Sequence, residues 1–169
     1  MKLFHGGTEI IEKPLILENQ RLLDFGKGLY TTTDKNQAEK WALIKQKRIG
    51  NVVKALVTVF EIDDKILDST EYSVKHFQYA DVEWLDFIVM NRRENIGHSY
   101  DIVKGAVAND TLYATLVLFE TGLLSKKETI VRLKSHVLFD QISFHNEKIL
   151  TELKFIESYE VNESNTHNI

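Results

Sequence analysis

Asp24-Phe25-Gly26-Lys27-Gly28-Leu29-Tyr30-Thr31-Thr32-Thr33-Asp34-Lys35-Asn36-Gln37-Ala38-Glu39-Lys40-Trp41-Ala42 carries a loop, a strand and the start of a helix in one run. The Gly26-x-Gly28 pair gives the chain a flexible turn. Residues 29–33 are β-branched and aromatic and read as a strand. Asp34 with Gln37 fits a helix-opening capping box, and Ala38, Trp41, Ala42 and Ile44 then share one helical face. A Gly-x-Gly pair that opens a strand, with no third glycine leading into a helix, lacks the turn of a dinucleotide-binding Rossmann unit.

The same mixed pattern continues on both sides of that run. Residues 2–5 read as a short strand, and residues 6–28 hold the turn formers Gly6, Gly7, Pro14, Asn19, Gly26 and Gly28. After a turn at Gly50 and Asn51, residues 52–62 read as a strand. Residues 80–93 read as a helix with Trp84, Phe87, Ile88 and Asn91 on one side. Residues 100–107 read as a strand, and residues 111–119 fit either a strand or a helix. Ser125 with Glu128 forms a second capping box, opening a helix that runs towards Leu133. Residues 141–144 read as a short strand, 147–153 as a helical turn or two, and 155–161 as the last strand. Strands and helices mix without a regular βαβ rhythm, which predicts an α+β fold of mainly antiparallel sheets with helices at the side. With one proline and no Ser/Gly linker, residues 1–161 are expected to form one domain and residues 162–169 a frayed tail.

Composition narrows the function. The 169 residues are 43% hydrophobic and 27% charged, which excludes a disordered chain. Cysteine is absent, and with it go disulfides, thiolate zinc sites and cysteine nucleophiles. The net charge of −4, from 21 basic and 25 acidic residues, argues against broad binding to a phosphate backbone. No apolar run approaches the roughly 20 residues that span a bilayer, and no apolar leader follows Met1, so a cytoplasmic protein is expected. The histidines at 76, 98, 136, 145 and 167 show no His-x-x-x-His spacing, and no metal is predicted.

Three segments carry polar or permissive residues where chemistry needs them. In Leu3-Phe4-His5-Gly6-Gly7 a histidine ends a strand, and two glycines allow backbone to approach a ligand; an exposed histidine before a turn is the plainer reading. In 24–33, Tyr30 follows the glycines and has a ring that can stack on a base or a nicotinamide; a core tyrosine beside a hairpin is the alternative. In Asp140-Gln141-Ile142-Ser143-Phe144-His145, Gln141 and Ser143 share one strand face while Ile142 and Phe144 share the other. The plainer reading there is an edge strand with a solvated polar face.

Together the three segments resemble the ADP-ribosyltransferase fold, in its diphtheria-toxin and poly-ADP-ribose-polymerase branch, known by a His–Tyr–Glu motif. The chain is similar to a small bacterial family of that superfamily sharing Leu-Phe-His-Gly, Asp-Phe-Gly-Lys-Gly-Leu-Tyr-Thr-Thr, Gln37-Ala38 with Trp41-Ala42, Trp84-Leu85-Asp86-Phe87, Asn91-Arg92, Tyr100-Asp101-Ile102-Val103, Ala108-Asn109-Asp110 and Gln141-Ile142-Ser143-Phe144. The resemblance implies two small sheets forming an NAD cleft, and an NAD-dependent mono-ADP-ribosyltransferase acting on an unknown acceptor macromolecule. It also implies a bacterial toxin or defence setting, often beside a small antidote protein. His5 would hydrogen-bond the adenosine-side ribose, Gly6 would offer backbone contacts to the nicotinamide amide, and Tyr30 would stack on the nicotinamide ring. Gly26 and Gly28, within 24–28, would line the approach to the nicotinamide.

Gln141 stands where the branch has its glutamate. A glutamine keeps the hydrogen bonds to ribose hydroxyls but brings no charge to an oxocarbenium-like transition state. Three consequences are open: a slow transferase, a nearby carboxylate such as Asp86, Asp101, Asp110 or Asp140 supplying the charge, or an NAD- or ADP-ribose-binding module without chemistry. Asp86 is expected to pair with an arginine on its own helix, and Arg92 is the alternative ligand for a pyrophosphate or an acidic target. Transfer of an RNA 2′-phosphate on the same fold wants converging basic residues, and Lys27, Arg92 and Arg93 are a thin supply.

Overall fold

The structure, a computed structural model, describes residues 1–17, 23–50, 52–94, 97–107, 110–134 and 139–162, without the side chains of 93–94, 110–113 and 134. Asn19, Asn51, Ala108, Asn109, His136, His167 and the expected tail from 163 onward lie outside the described residues, as do the side chains of Arg93 and Asp110.

Among the described residues, seven strands form two sheets. The first holds β1 (Lys2–Gly7), β3 (Leu56–Glu61) and β7 (Lys154–Glu160) in the order β1-β3-β7. The second holds β2 (Leu29–Thr31), β6 (Asp140–Phe144), β5 (Ile102–Ala106) and β4 (Val74–His76) in the order β2-β6-β5-β4. All pairs are antiparallel except β4 with β5. The α-helices are α1 (Lys35–Ile49), α2 (Val82–Val89), α3 (Asp110–Glu120), α4 (Lys126–Lys134) and α5 (Glu147–Leu150). A π-helical turn, Met90–Glu94, continues α2. The α+β class read from the sequence and the two small sheets that the resemblance implies are therefore present, and residues 111–119 resolve as helix.

Period-two alternation sorts the side chains into layers. Leu3 and Phe60 of the first sheet meet Leu29, Ile102, Ile142 and Phe144 of the second in one buried cluster. Val57 and Val59 turn the other way, onto Ala38, Ala42 and Leu43 of α1. On the outer face of the second sheet, Val103 packs with Trp84, Leu85 and Ile88 of α2, Leu116 of α3 and Leu133 of α4. The order is thus α1, first sheet, second sheet, then α2 to α4. Strand β6 lies between β2 and β5, and its polar face is buried, so the solvated edge strand is corrected: Gln141 is 6% exposed and Ser143 0%.

Two helix starts differ in detail. Ser125 and Glu128 make the full reciprocal box, with the Ser125 N–H donating to Glu128 Oε2 at 2.9 Å and the Glu128 N–H to Ser125 Oγ at 3.3 Å. Asp34 caps α1 by accepting the Gln37 N–H at 3.0 Å, but Gln37 does not reach back. The Asp34 N–H goes to Thr32 Oγ1 at 3.1 Å, and the buried Gln37 side chain meets that same hydroxyl at 3.3 Å.

The sheets meet along β1, where Phe4 and Thr32 exchange backbone hydrogen bonds of 2.8 and 3.0 Å. There α1 crosses β1 closely. A Cβ on Gly6 would stand 2.0 Å from the Ala38 carbonyl oxygen and 2.9 Å from the Ala42 nitrogen. Gly6→Ala is therefore expected to push α1 off the sheet and cost about 1–3 kcal/mol, read as a lower urea midpoint with unchanged m.

Candidate functional site

Where β1, β2, β6, α1 and the π turn converge, a cleft of about 450 Å³ opens. Its wall includes His5, Gly6, Asp24, Tyr30, Gln37, Trp41, Lys45, Arg48, Arg92 and Gln141. Strand register explains the meeting of distant residues. Tyr30 pairs with Ser143 across β2 and β6, Gln141 pairs with Gly105 across β6 and β5, and the Phe4–Thr32 bridge sets His5 beside Tyr30.

His5 Nδ1 lies 2.6 Å from the Tyr30 carbonyl oxygen, an acceptor, so Nδ1 carries the proton and Nε2 is left as an acceptor. Burial, reinforced by the Lys45 charge, pushes the His5 pKa down to about 3 despite that hydrogen bond. The ring is neutral across the physiological range. It can take a hydrogen bond from a hydroxyl but not serve as a cation.

Tyr30 uses its hydroxyl to organise the loop. The OH donates to the Gly26 carbonyl at 2.7 Å and accepts the Phe25 N–H at 2.9 Å. Burial and the neighbouring Asp24 charge hold its pKa well above the ordinary tyrosine value. Two histidines fasten the flanking carbonyls: His98 Nε2 to Phe25 at 2.8 Å and His145 Nδ1 to Lys27 at 2.6 Å. Three aromatic side chains thus hold three successive carbonyls of the loop that carries Asp24.

Gly26 and Gly28 serve this loop and are not in the cleft wall. Gly26 has φ +83°, a conformation that favours glycine, and at Gly28 a Cβ would stand 2.5 Å from the Phe144 carbonyl oxygen. Gly6 does line the cleft, and its carbonyl accepts the Lys45 ammonium at 2.6 Å.

Gln141 is fixed by two acceptors. Its Nε2 sits 3.5 Å from Asp24 Oδ2 and 3.4 Å from the Ala106 carbonyl, which sets the amide orientation. Asp24 is also 3.7 Å from the Arg92 guanidinium, both side chains being largely buried. The carboxylate beside Gln141 is therefore Asp24, which sequence reasoning placed on the approach without giving it a role.

The other carboxylates are engaged elsewhere. Asp86 pairs with Lys126 of α4 at 2.7 Å, which corrects the pairing expected with an arginine on its own helix. Asp101 accepts the Ser73 N–H at 2.7 Å and bonds Asn146. Asp140 ties the Thr33 hydroxyl at 2.9 Å. None of these three lines the cleft. Asp110 opens α3, and its side chain is outside the described residues.

Trp41, Lys45 and Arg48 were also missed as site residues. They fall on successive turns of one α1 face, and only the packing of α1 against β1 turns that face to the cleft. Among the described residues no three His, Asp or Glu side chains cluster to hold a metal ion, and no helix is long and apolar enough to cross a membrane.

No curated protein and no solved structure matches the chain. Residues 1–155 match the model of a family described as "Protein of unknown function (DUF3990)", so the chain, matched over nearly its whole length, belongs to that family.

Proposed function

We propose that the cleft binds NAD and that the protein is a mono-ADP-ribosyltransferase, cleaving nicotinamide from NAD and passing ADP-ribose to an acceptor macromolecule. The observation that carries this reading is that His5, Tyr30 and Gln141, separated by most of the chain, line one cleft of about 450 Å³. That volume suits a dinucleotide held in a bent shape.

In the proposed reaction the bond between nicotinamide and ribose C1′ breaks, and its electron pair leaves with the nicotinamide. Positive charge develops on the ribose. The acceptor nucleophile then bonds to C1′ and gives up its proton. His5 Nε2 accepts from a ribose hydroxyl, Tyr30 presents its ring to the nicotinamide, and Gln141 orients the reacting ribose. A neutral amide adds little to charge stabilisation, so the anionic partner is Asp24, next to Gln141.

The neutral Gln141 also supports a second reading, an NAD- or ADP-ribose-binding module that does not cleave its ligand. Incubation with NAD labelled in the adenosine half, in buffer and in cell lysate, separates the two. Free nicotinamide together with a labelled acceptor is expected, and His5→Ala is expected to abolish both. Binding without release would favour the silent module. Neither binding nor release, with Gln141→Glu equally silent, would overturn both readings.

A further inference from the structure

We infer that Lys45 and Arg48 of α1 form an anion subsite on one wall of the cleft, which takes the diphosphate of an ADP-ribosyl ligand. The inference rests on the NAD reading above and assigns the phosphate-binding part of the same cleft. Its grounds lie in charge and placement.

The two cations stand one turn apart, with Trp41 one turn earlier on the same helix face, and all three line the cleft. The Lys45 ammonium is drawn down to the Gly6 carbonyl, 2.6 Å away and next in sequence to His5. That bond uses one of its three donors and leaves two for ligand oxygens. The Arg48 guanidinium lies over the Trp41 ring at 5.9 Å from its centre, which restricts its orientation at the cleft.

Neither cation has a carboxylate within ion-pair distance among the described residues, whereas Arg92 across the cleft has Asp24. Two like charges one turn apart repel each other, and the partial burial of Lys45 weakens the solvent screening of that repulsion. Burial, then the Arg48 charge, pulls the Lys45 pKa down to about 8. A bound dianion would relieve both effects. The chain as a whole is acidic, at −4, so this basic pair is a local feature and not part of a general positive surface. The plainer role, a lysine that only tethers α1 to β1, accounts for the Gly6 bond. It does not account for a second unneutralised cation on the same cleft wall.

The test is calorimetric titration of the full chain with ADP-ribose, adenosine and inorganic pyrophosphate, for wild type, Lys45→Met, Arg48→Met, the double variant and Lys45→Arg. ADP-ribose affinity is expected to fall about 10- to 100-fold in each methionine variant, the range for a lost charge-assisted hydrogen bond. Adenosine binding should be unchanged, and Lys45→Arg should retain most of the affinity. Added salt should weaken ADP-ribose binding to wild type more steeply than to the double variant. Arg48 is exposed, so Arg48→Met keeps the test valid if Lys45→Met misfolds. NAD or ADP-ribose binding to the double variant at wild-type strength would overturn the subsite and leave the NAD reading standing. Pyrophosphate held through Lys45 and Arg48 by a chain that binds neither ADP-ribose nor NAD would uphold the anion site and overturn the NAD reading.

Discussion

On the proposed transferase reaction, Asp24→Asn is expected to slow nicotinamide release from NAD about 10²- to 10³-fold at saturating substrate, with KM little changed. The size follows from removing one preorganised charge from a site where positive charge appears only in the transition state. The direction follows from geometry. Asp24 Oδ2 lies 3.5 Å from Gln141 Nε2, and Arg92 sits 3.7 Å from the other carboxylate oxygen, so the charge is held in place before substrate arrives. Gln141→Glu alone should gain little. A carboxylate at 141 would face Asp24 across that short gap, and two like charges so close share one proton rather than both ionising. Gln141→Glu in the Asp24→Asn background removes the conflict and is expected to recover most of the lost rate. Nicotinamide release by chromatography, with thermal unfolding as the control for folding, reads all four chains. Wild-type turnover by Asp24→Asn would remove Asp24 from the mechanism. An accelerated Gln141→Glu single variant would return the charge to position 141.

That pair of carboxyl positions marks where sequence reading stops. Strands β1, β2, β3, β5, β6 and β7 and the capped starts of α1 and α4 follow from local chemistry: β-branched runs, alternation and Asp or Ser caps. His5, Tyr30 and Gln141 are singled out by the resemblance that their three segments carry together, each segment alone having a plainer reading. Strand β4, Val74–His76, has three residues, too few for alternation to show, and pairs in parallel with β5 through a tertiary contact. Residues 111–119 stayed open between helix and strand because apolar residues occur on every side, so neither period stands out. Gln141 read as solvated because its polar face matches an edge strand, and only the strand order β2-β6-β5 buries it. Asp24 and Trp41 lie inside shared segments that gave them no role of their own, and Lys45 and Arg48 lie on a helix face that carries no motif. Their role depends on α1 crossing β1 at Gly6, where the clash at 2.0 Å shows how close the two run.

Stability is expected to fall by on the order of 3 kcal/mol between pH 7 and pH 5, well before carboxylates of ordinary pKa titrate. Burial, helped by Lys45, pushes His5 down to about 3. Burial also pushes His145 down to about 4, aided by His98 and opposed by the Lys27 carbonyl and Asp101. The unfolded chain binds a proton at each of these histidines near 6.5, the folded chain only far lower. Between those values the unfolded state holds more protons, so stability is complete above about 6.5 and drains as pH falls through the window, by up to about 1.4 kcal/mol per unit for each ring. His98 adds in the same direction: burial lowers its pKa, and its Nδ1 accepts the Tyr100 N–H at 3.1 Å, so a proton there would set two donors face to face. His98 and His145 are also in contact, with ring centres 4.4 Å apart, which disfavours charging both. Urea unfolding at pH 7, 6 and 5 measures the slope, and His145→Gln is expected to reduce it by about a third to a half. A flat profile over that range would mean these rings are not held neutral. The loss also has a defined place in the structure: His98 and His145 hold the Phe25 and Lys27 carbonyls, so the first segment to loosen in acid is the loop that positions Asp24. Hydrogen exchange at residues 24–28 should therefore accelerate before the second sheet opens.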